Sequence, residues 1–417
     1  MAFYIKRLLT KVRELSKIYY PCLLFVGLCL ISNACSTHRQ ITPHMFGAKA
    51  DGKSDDHDAI QAALDRGGII YFPAGVYRVS NTLHITKSNT HLILHDSAIV
   101  ECFERTLGDS VYGNAGSTIV FKSKSAIKDP LNDGGQIYNV GIQGGIIRNR
   151  APQNQKIPPF NNENAIGFTH CRNFYCKNVT IEYCNRKGIT MQYYNDYGLI
   201  KNCKLKDCGV HGITIESSSN NIVLEDNVIE MRKDALSKGE NTNEGRNYGM
   251  HIIESENIKI INNKILSDCG VGLYSNNSTN MLLKGNNISS FSERAVVQIA
   301  PEGSNSHYVI EDNLLSGKEY SLYLSGSNSS SLFSLVGNTC ESSILFSKGI
   351  IHLKTNIAPI CRIDYPIESA QILGNRFYCI NVTNASEDTR PICIDNILET
   401  TYKNWLPKIA KDKIKNK

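Results

Sequence analysis

Proline is scarce in this 417-residue chain, 12 residues in all, and the 31 glycines follow no fixed three-residue period. Collagen-like and proline-rich extended classes are therefore excluded. Charged residues make up only 20%, while 41% are hydrophobic, which excludes a wholly disordered chain. No C-x-x-C pair occurs among the 14 cysteines, so the common zinc and dithiol signatures are missing. Long apolar runs are missing too. The candidate run at residues 18–31, IYYPCLLFVGLCLI, is short of the ~20 residues a membrane span needs. The net charge of +6 sits at the ends. Residues 1–17 carry +4 and residues 403–417 carry +5, leaving −3 on the body. A slightly acidic body has no electrostatic footprint for nucleic acid, and the Lys-rich tail reads as a solvated end.

Asparagine and isoleucine are in excess, 41 and 48 residues. Isoleucine favours strands. Asparagine favours tight turns and tolerates a left-handed backbone. The pair predicts many short strands joined by many turns.

Residues 1–34 read as a signal peptide: a basic stretch ending at Lys17, the apolar run, then Ser32-Asn33-Ala34 before Cys35. Ser32 and Ala34 suit ordinary signal peptidase. Cys35 at the following position resembles the lipidated cysteine of a bacterial lipoprotein, although Ser32 stands where a branched aliphatic residue is usual. The body is expected outside the cytoplasm, in the cell envelope or secreted, with membrane contact only through that anchor. Export makes disulfides an option. Many cysteines fall at apolar repeat positions, however, and read better as buried thiols acting as small hydrophobes.

Residues 54–66 read as a helix, with Ser54 or Asp55 as its cap and Ile60, Ala63 and Leu64 as its apolar stripe. Gly67-Gly68 ends it, and strands follow at Ile69–Phe72 and 76–79.

Past residue 90 a unit recurs: apolar, two polar, a turn residue, any residue, apolar. Asn227, Asn263, Asn286, Asn313, Asn338 and Asn375 hold the turn position, and Ser97, Gly145, Val179 and Cys203 hold it in earlier copies. The intervals centre on 24 residues. The 48 between Ser97 and Gly145 reads as two units. Intervals of 34, 36 and 37 read as one unit plus an insertion. A second strand precedes each turn, as at Gly188-Ile-Thr-Met191 and Gly212-Ile-Thr-Ile215. This describes an all-β, single-stranded parallel β-helix of about eleven coils, residues 35–400, with the N-terminal helix as a cap and residues 401–417 as a tail or second cap. Asn at one turn of successive coils would form an amide ladder. A leucine-rich repeat also carries a periodic Asn, but its LxxLxLxxN motif is not seen. Cys184, Cys208 and Cys269 share a coil position and read as an inward stack.

The stretch FGAKADGKSDDHDAIQAALD…GGIIYFPAGVYRV resembles the N-terminal motif of pectate-lyase-superfamily proteins, the pectin-lyase-like right-handed β-helix group that includes rhamnogalacturonases, polygalacturonases and epimerase-like proteins. The resemblance covers about 35 residues specifically, and the coil pattern agrees with it over residues 90–380. It implies a right-handed helix and a polysaccharide partner, often one containing uronic acid. It does not select a reaction. At the strand starts where polygalacturonases carry three aspartates, this chain reads Asn-Arg-Lys-Gly188, Gly-Val-His-Gly212 and Asn-Tyr-Gly249. Hydrolysis by two carboxyl groups thus lacks its usual residues.

The outward positions of the glycine-initiated strands supply the candidates instead: Thr190, Thr214, His251, Tyr274 and Tyr323, with Gln192 and Glu216 further along. The charged loop between residues 231 and 248 lies beside them in sequence. Candidate catalytic residues are His211, Glu216, His251, Asp234 and Arg246. Candidate substrate-binding residues are Arg186, Lys187, Tyr248, Tyr274, Arg294 and Tyr323. In a uronate lyase, Lys or Arg would neutralise the sugar carboxylate and His, Lys or Tyr would move the C5 proton. No cofactor is assured. Calcium would need carboxylates from neighbouring coils, with Asp196, Glu216 and Glu254 as contributors. The expected function is a polysaccharide lyase or glycoside hydrolase, with a non-catalytic carbohydrate-binding or surface structural β-helix as the alternative.

Overall fold

A computed structural model describes residues 40–103, 117–124, 135–149, 164–184, 186–231, 247–267, 270–291, 295–301, 306–325, 331–347, 350–364, 369–383, 392–394 and 397–398. The expected leader with Cys35 and the expected tail lie outside them. Every strand pairing is parallel, and each strand pairs with its counterpart one coil on. The result is a right-handed parallel β-helix with three faces. The first face carries Lys187–Gln192, His211–Glu216, Tyr248–Ile253 and Val271–Asn276. The second holds 13 strands, from Ile69–Phe72 to Ile392–Ile394, two more than the expected coil number. The third carries Thr180–Glu182, Lys204–Cys208 and Val228–Met231. First and third meet at Ile357–Asp364, which pairs with a strand of each. No helix among the described residues is long and apolar enough to cross a membrane.

Inside, Ile189, Met191, Ile213, Ile215, Met250 and Ile252 are fully buried and stack on one another through their shared register. Eight of the nine described free cysteines, Cys184 and Cys208 among them, are buried as well. Burial pushes the thiols of Cys176 and Cys171 up from their ordinary value. They behave as the small hydrophobes expected of them, and Cys269 lies outside the described residues.

The asparagines form the expected ladder. The side-chain amide of Asn227 donates to Oδ1 of Asn263 at 2.9 Å, and the chain continues through Asn286, Asn313 and Asn338. The same Oδ1 also accepts the backbone N–H of the preceding asparagine, and each amide donates again to a backbone carbonyl, as Asn286 does to Ile260 at 2.8 Å. Two intervals read differently from expectation. The 37 residues from Asn338 to Asn375 are two short coils of 18 and 19 residues, because Asn356 stands between them and bonds to both. The 48 residues from Ser97 to Gly145 are a single coil: the strand His91–Leu94 pairs directly with Ile137–Gln143, and Ala98–Cys102 with Ile146–Asn149. The 34 and 36 are single coils carrying insertions, as expected.

The N-terminal helix is shorter than expected, His57–Leu64, with Asp56 rather than Ser54 or Asp55 at its cap. Ser54 and Asp55 belong to the strand Asp51–Asp55. The Asp56 carboxylate accepts the backbone N–H groups of Lys49 and Ala50 at 2.7 and 3.0 Å, pinning the preceding turn, while the Asp55 carboxylate accepts the first helical N–H, that of His57, at 3.1 Å. Ile60, Ala63 and Leu64 are buried against the first coils, as the stripe required. The third face carries a column that alternates in sign through seven coils: Asp55, Arg78, Glu101, Arg148, Glu182, Lys206, Glu230. Arg148 is bonded to both neighbours, at 3.3 Å to Glu101 and 2.8 Å to Glu182. Opposite charges directly across a ladder favour this pairing over a slipped one.

Asn286 is the acceptor of two buried donors on Asn263. Asn286→Ala is expected to cost about 2–4 kcal/mol, since those donors lose their partner in a dry core. Chemical denaturation of the variant beside the parent checks this.

Candidate active site

The site begins with a glycine corner. Gly188, Gly212, Gly249 and Gly272 occupy the same place on successive coils. A Cβ on Gly188 would lie 2.5 Å from Leu205 Cδ2 and 2.6 Å from the Gly212 carbonyl, and one on Gly212 would lie 2.5 Å from Ile229 Cγ2. Only glycine lets the chain turn this close to the third face. The turn leaves the residue before the glycine, and the residue two places after it, facing outward.

Register then builds three outward columns. The first is Lys187, His211, Tyr248. The second is Thr190, Thr214, His251, Tyr274, Gln298, Tyr323. The third pairs Gln192 with Glu216. Six of the expected site residues meet across three neighbouring coils and the next: Lys187, His211, Glu216, Tyr248, His251 and Tyr274. Tyr323 continues the second column two coils beyond Tyr274.

Glu216 is the hub. Lys187 Nζ lies 3.1 Å from its Oε1, His251 Nδ1 lies at an ion-pair distance of 3.5 Å from the same oxygen, and the Gln192 amide donates to its Oε2. Burial alone would raise the carboxyl, but the Lys187 charge, His251 and Gln192 outweigh it and hold Glu216 well below the usual carboxylate range. The rings pack as a continuous cluster. His211 is 4.6 Å from His251 and 5.1 Å from Tyr248, Tyr248 is 4.7 Å from His251, and Tyr274 closes the stack 4.9 Å from Tyr248. His211 is 1% exposed and Lys187 5%. Burial, then the charges of Lys187 and His251, push the His211 imidazole well below its ordinary value, so its ring is neutral at neutral pH. Its Nδ1 and the Thr214 hydroxyl are buried without a hydrogen-bond partner among the described residues.

Lys187 was expected to meet the substrate. The structure places it against Glu216, a pairing that only cross-coil register reveals. Gln192 was visible as an outward residue, but nothing in the sequence marked it as the second clamp on Glu216. Arg186 contributes through its backbone: its carbonyl accepts the N–H groups of Val210 and His211 at 2.7 and 3.1 Å. The expected calcium set does not assemble. Asp196 stands on the second face, paired with Arg172 at 3.7 Å and accepting from Asn221 at 2.6 Å, and Glu254 is exposed at a left-handed corner. The described residues hold no cluster of three His, Cys, Asp or Glu side chains able to share a metal ion. Asp234, Arg246 and Arg294 lie outside the described residues.

Both depressed groups make the fold acid-sensitive. A neutral buried His211 contributes its full stability above the unfolded imidazole value of about 6.5, and that contribution is lost as pH falls toward its lower folded value. Glu216 adds a second loss below the unfolded carboxyl value of 4.5. Thermal midpoints from pH 7.5 to 5 should therefore fall more steeply for the parent than for His211→Gln. Equal slopes would show that His211 takes up a proton in the folded state as readily as in the unfolded one.

The comparisons with known proteins agree with this architecture. A stretch of 59 residues is 49% identical to alginate lyase 7 of Azotobacter vinelandii, covering 12% of this chain and 7% of that protein. Over 150 residues the chain is 29% identical to plasmin and fibronectin-binding protein A of Streptococcus pneumoniae, covering 33% of this chain and 20% of the other. The matches thus span a fifth or less of either relative. Among solved structures, the A-module of the Azotobacter vinelandii mannuronan C-5 epimerase AlgE4 superposes with a TM-score of 0.52 at 16% identity, over 86% of this chain and 95% of that one. The model of the rhamnogalacturonase A/epimerase, pectate lyase-like family matches residues 44–297, more than half the chain. With its coils, its capped N-terminus and this match in agreement, the chain belongs to that family.

Proposed function

We propose that the protein removes the C5 proton of a uronic acid unit within a polysaccharide, outside the cytoplasm, as a lyase or a C5 epimerase. The observation that carries this reading is the composition of the cluster. It has one carboxylate, Glu216, held ionised between Lys187, Gln192 and His251, with Tyr248 stacked on both histidines. Glycoside hydrolysis needs two carboxyl groups facing the bond, one of them protonated. Among the described residues the cluster offers no second carboxyl group. Proton abstraction beside a carboxylate needs a cation, a base and an acid, and those groups are at hand. A relative named an alginate lyase and a fold neighbour named a mannuronan C-5 epimerase support the same chemistry.

In this reading Lys187, which has three N–H donors and spends one on Glu216, neutralises the sugar carboxylate. Glu216 orients His251, which takes the C5 proton. In elimination the C5–H electron pair forms the C4–C5 double bond, the C4–O bond breaks, and Tyr248 protonates the leaving oxygen. In epimerisation the same carbanion is reprotonated from the opposite face. His211, neutral and buried, holds Tyr248 and His251 in place. Tyr274 and Tyr323 extend the floor for neighbouring sugars.

The test incubates the protein with a panel of polyuronates in D₂O. Deuterium at C5 reports the epimerase, ultraviolet absorbance of an unsaturated uronate reports the lyase, and new reducing ends without either report a hydrolase and reject the reading. Glu216→Gln, His251→Ala and Tyr248→Phe are each expected to lose about 10²-fold or more in turnover. Binding with no product on any member of the panel would instead favour a carbohydrate-binding surface protein.

A further inference from the structure

On the corner where the first face turns into the second, most described coils spend one left-handed residue: His170, Glu254 and Asn277 each do so. The two coils that carry Gln192 and Glu216 spend two, Tyr193-Tyr194 and Ser217-Ser218, because each has one extra residue there. The lengthened corner therefore coincides with the two coils that clamp the carboxylate.

A second oddity lies three residues on. Six successive coils of the second face begin with a left-handed residue, and down the stack it is Asn139, Asn173, Tyr197, Asn221, Asn257 and Asn280. Asparagine is the side chain suited to that backbone, and a bulky ring is not. Neighbouring asparagines also use the place to bond each other, Asn257 donating to Asn221 at 3.1 Å. Tyr197 gives up that bond and accepts the strain, and its ring is 52% exposed. Tyr194, also left-handed, is 45% exposed, and Tyr138, two coils back in the same corner, is 54% exposed. The cluster is held in place. Arg172 lies over the Tyr197 ring at 5.4 Å while pairing with Asp196, the His170 ring sits 5.4 Å from Tyr194, and Gln136 donates to the Tyr194 carbonyl. Strained residues that keep large rings in water are a mark of binding rather than of folding.

We propose that Tyr138, Tyr194 and Tyr197 form a stacking platform for further sugar units of the same polysaccharide, leading away from the catalytic cluster around the corner that starts at Gln192. The platform rests on the proposed uronate function for its ligand. Its occupant is a sugar chain because the rings are flat, exposed and continuous through the backbone of residues 192–194 with the clamp on Glu216. Arg172 is spent on Asp196 and Tyr197, so the platform reads ring faces more than charge.

Two substitutions test it by copying the adjacent coil: Tyr194→Ser matches Ser218, and Tyr197→Asn matches Asn221. Both suit a left-handed backbone, so the thermal midpoint should hold or rise, which separates a binding effect from misfolding. The double variant is expected to lose about ten-fold in affinity for a long polyuronate, and to lose clearly less for a trisaccharide. A parent that turns over the polymer, beside a double variant with undiminished polymer affinity, overturns the platform and leaves the catalytic reading standing. Equal losses on polymer and trisaccharide also overturn it, since the rings would then act at the reacting unit. A parent that neither binds nor converts any polyuronate overturns both.

Discussion

Parallel register between coils is the constraint on which the rest of this molecule depends. Each coil is too thin to bury its own apolar residues and is stable only on its neighbours. A slip of one residue between two coils would turn the core side chains outward. Two devices oppose such a slip, one buried and one on the surface. The asparagine ladder ties side-chain amide to side-chain amide through the core from Asn227 to Asn375. The alternating column from Asp55 to Glu230 does the same by charge on the third face. With register settled, residues far apart in the chain become neighbours at strand spacing. That is how Lys187, Glu216 and His251 come to share one point.

The site uses this rigidity to hold an arrangement that folding alone would not favour. Taking Lys187 and Glu216 largely out of water is expensive, and an ion pair at that depth seldom repays its desolvation. His211 is held neutral beside the Lys187 charge, and the Thr214 hydroxyl is buried without a partner among the described residues. Unpaired polar atoms of this kind cost stability. The gathering of a largely buried ion pair, a neutral histidine and stacked rings on one stretch of one face is the pattern of a functional centre.

Much of this was legible in the sequence, for physical reasons. The excess of isoleucine and asparagine is a direct image of a stacked core and its turn ladder. The outward set His251, Tyr274 and Tyr323 could be read because strands alternate faces and a small residue, Gly249, Gly272 or Ser321, stands two places before each. What escaped depends on geometry that spacing does not encode. Asn356 was hidden because its coils are 18 and 19 residues long, far from the common 24. The 48-residue interval was misread because two coils and one enlarged coil have the same length. Asp196 and Glu254 belong to coils next to that of Glu216, yet the left-handed corners at Tyr193-Tyr194 and at Glu254 itself turn them away from the first face.

That corner is where fold and function meet. A β-helix can vary its outward residues at little cost, because they touch only one another and water. Its corners are different, since each must return the chain to register. An extra residue in the coils of Gln192 and Glu216, absorbed by consecutive left-handed residues, changes how the face ends without disturbing the strands on either side. The same backbone conformation that accepts Asn in other coils is here filled by tyrosine. The regular repeat sets where the strands lie, and departures from it at a few turns decide what the surface can hold. In a fold so uniform, the residues that break its local preferences carry most of the information about what it does.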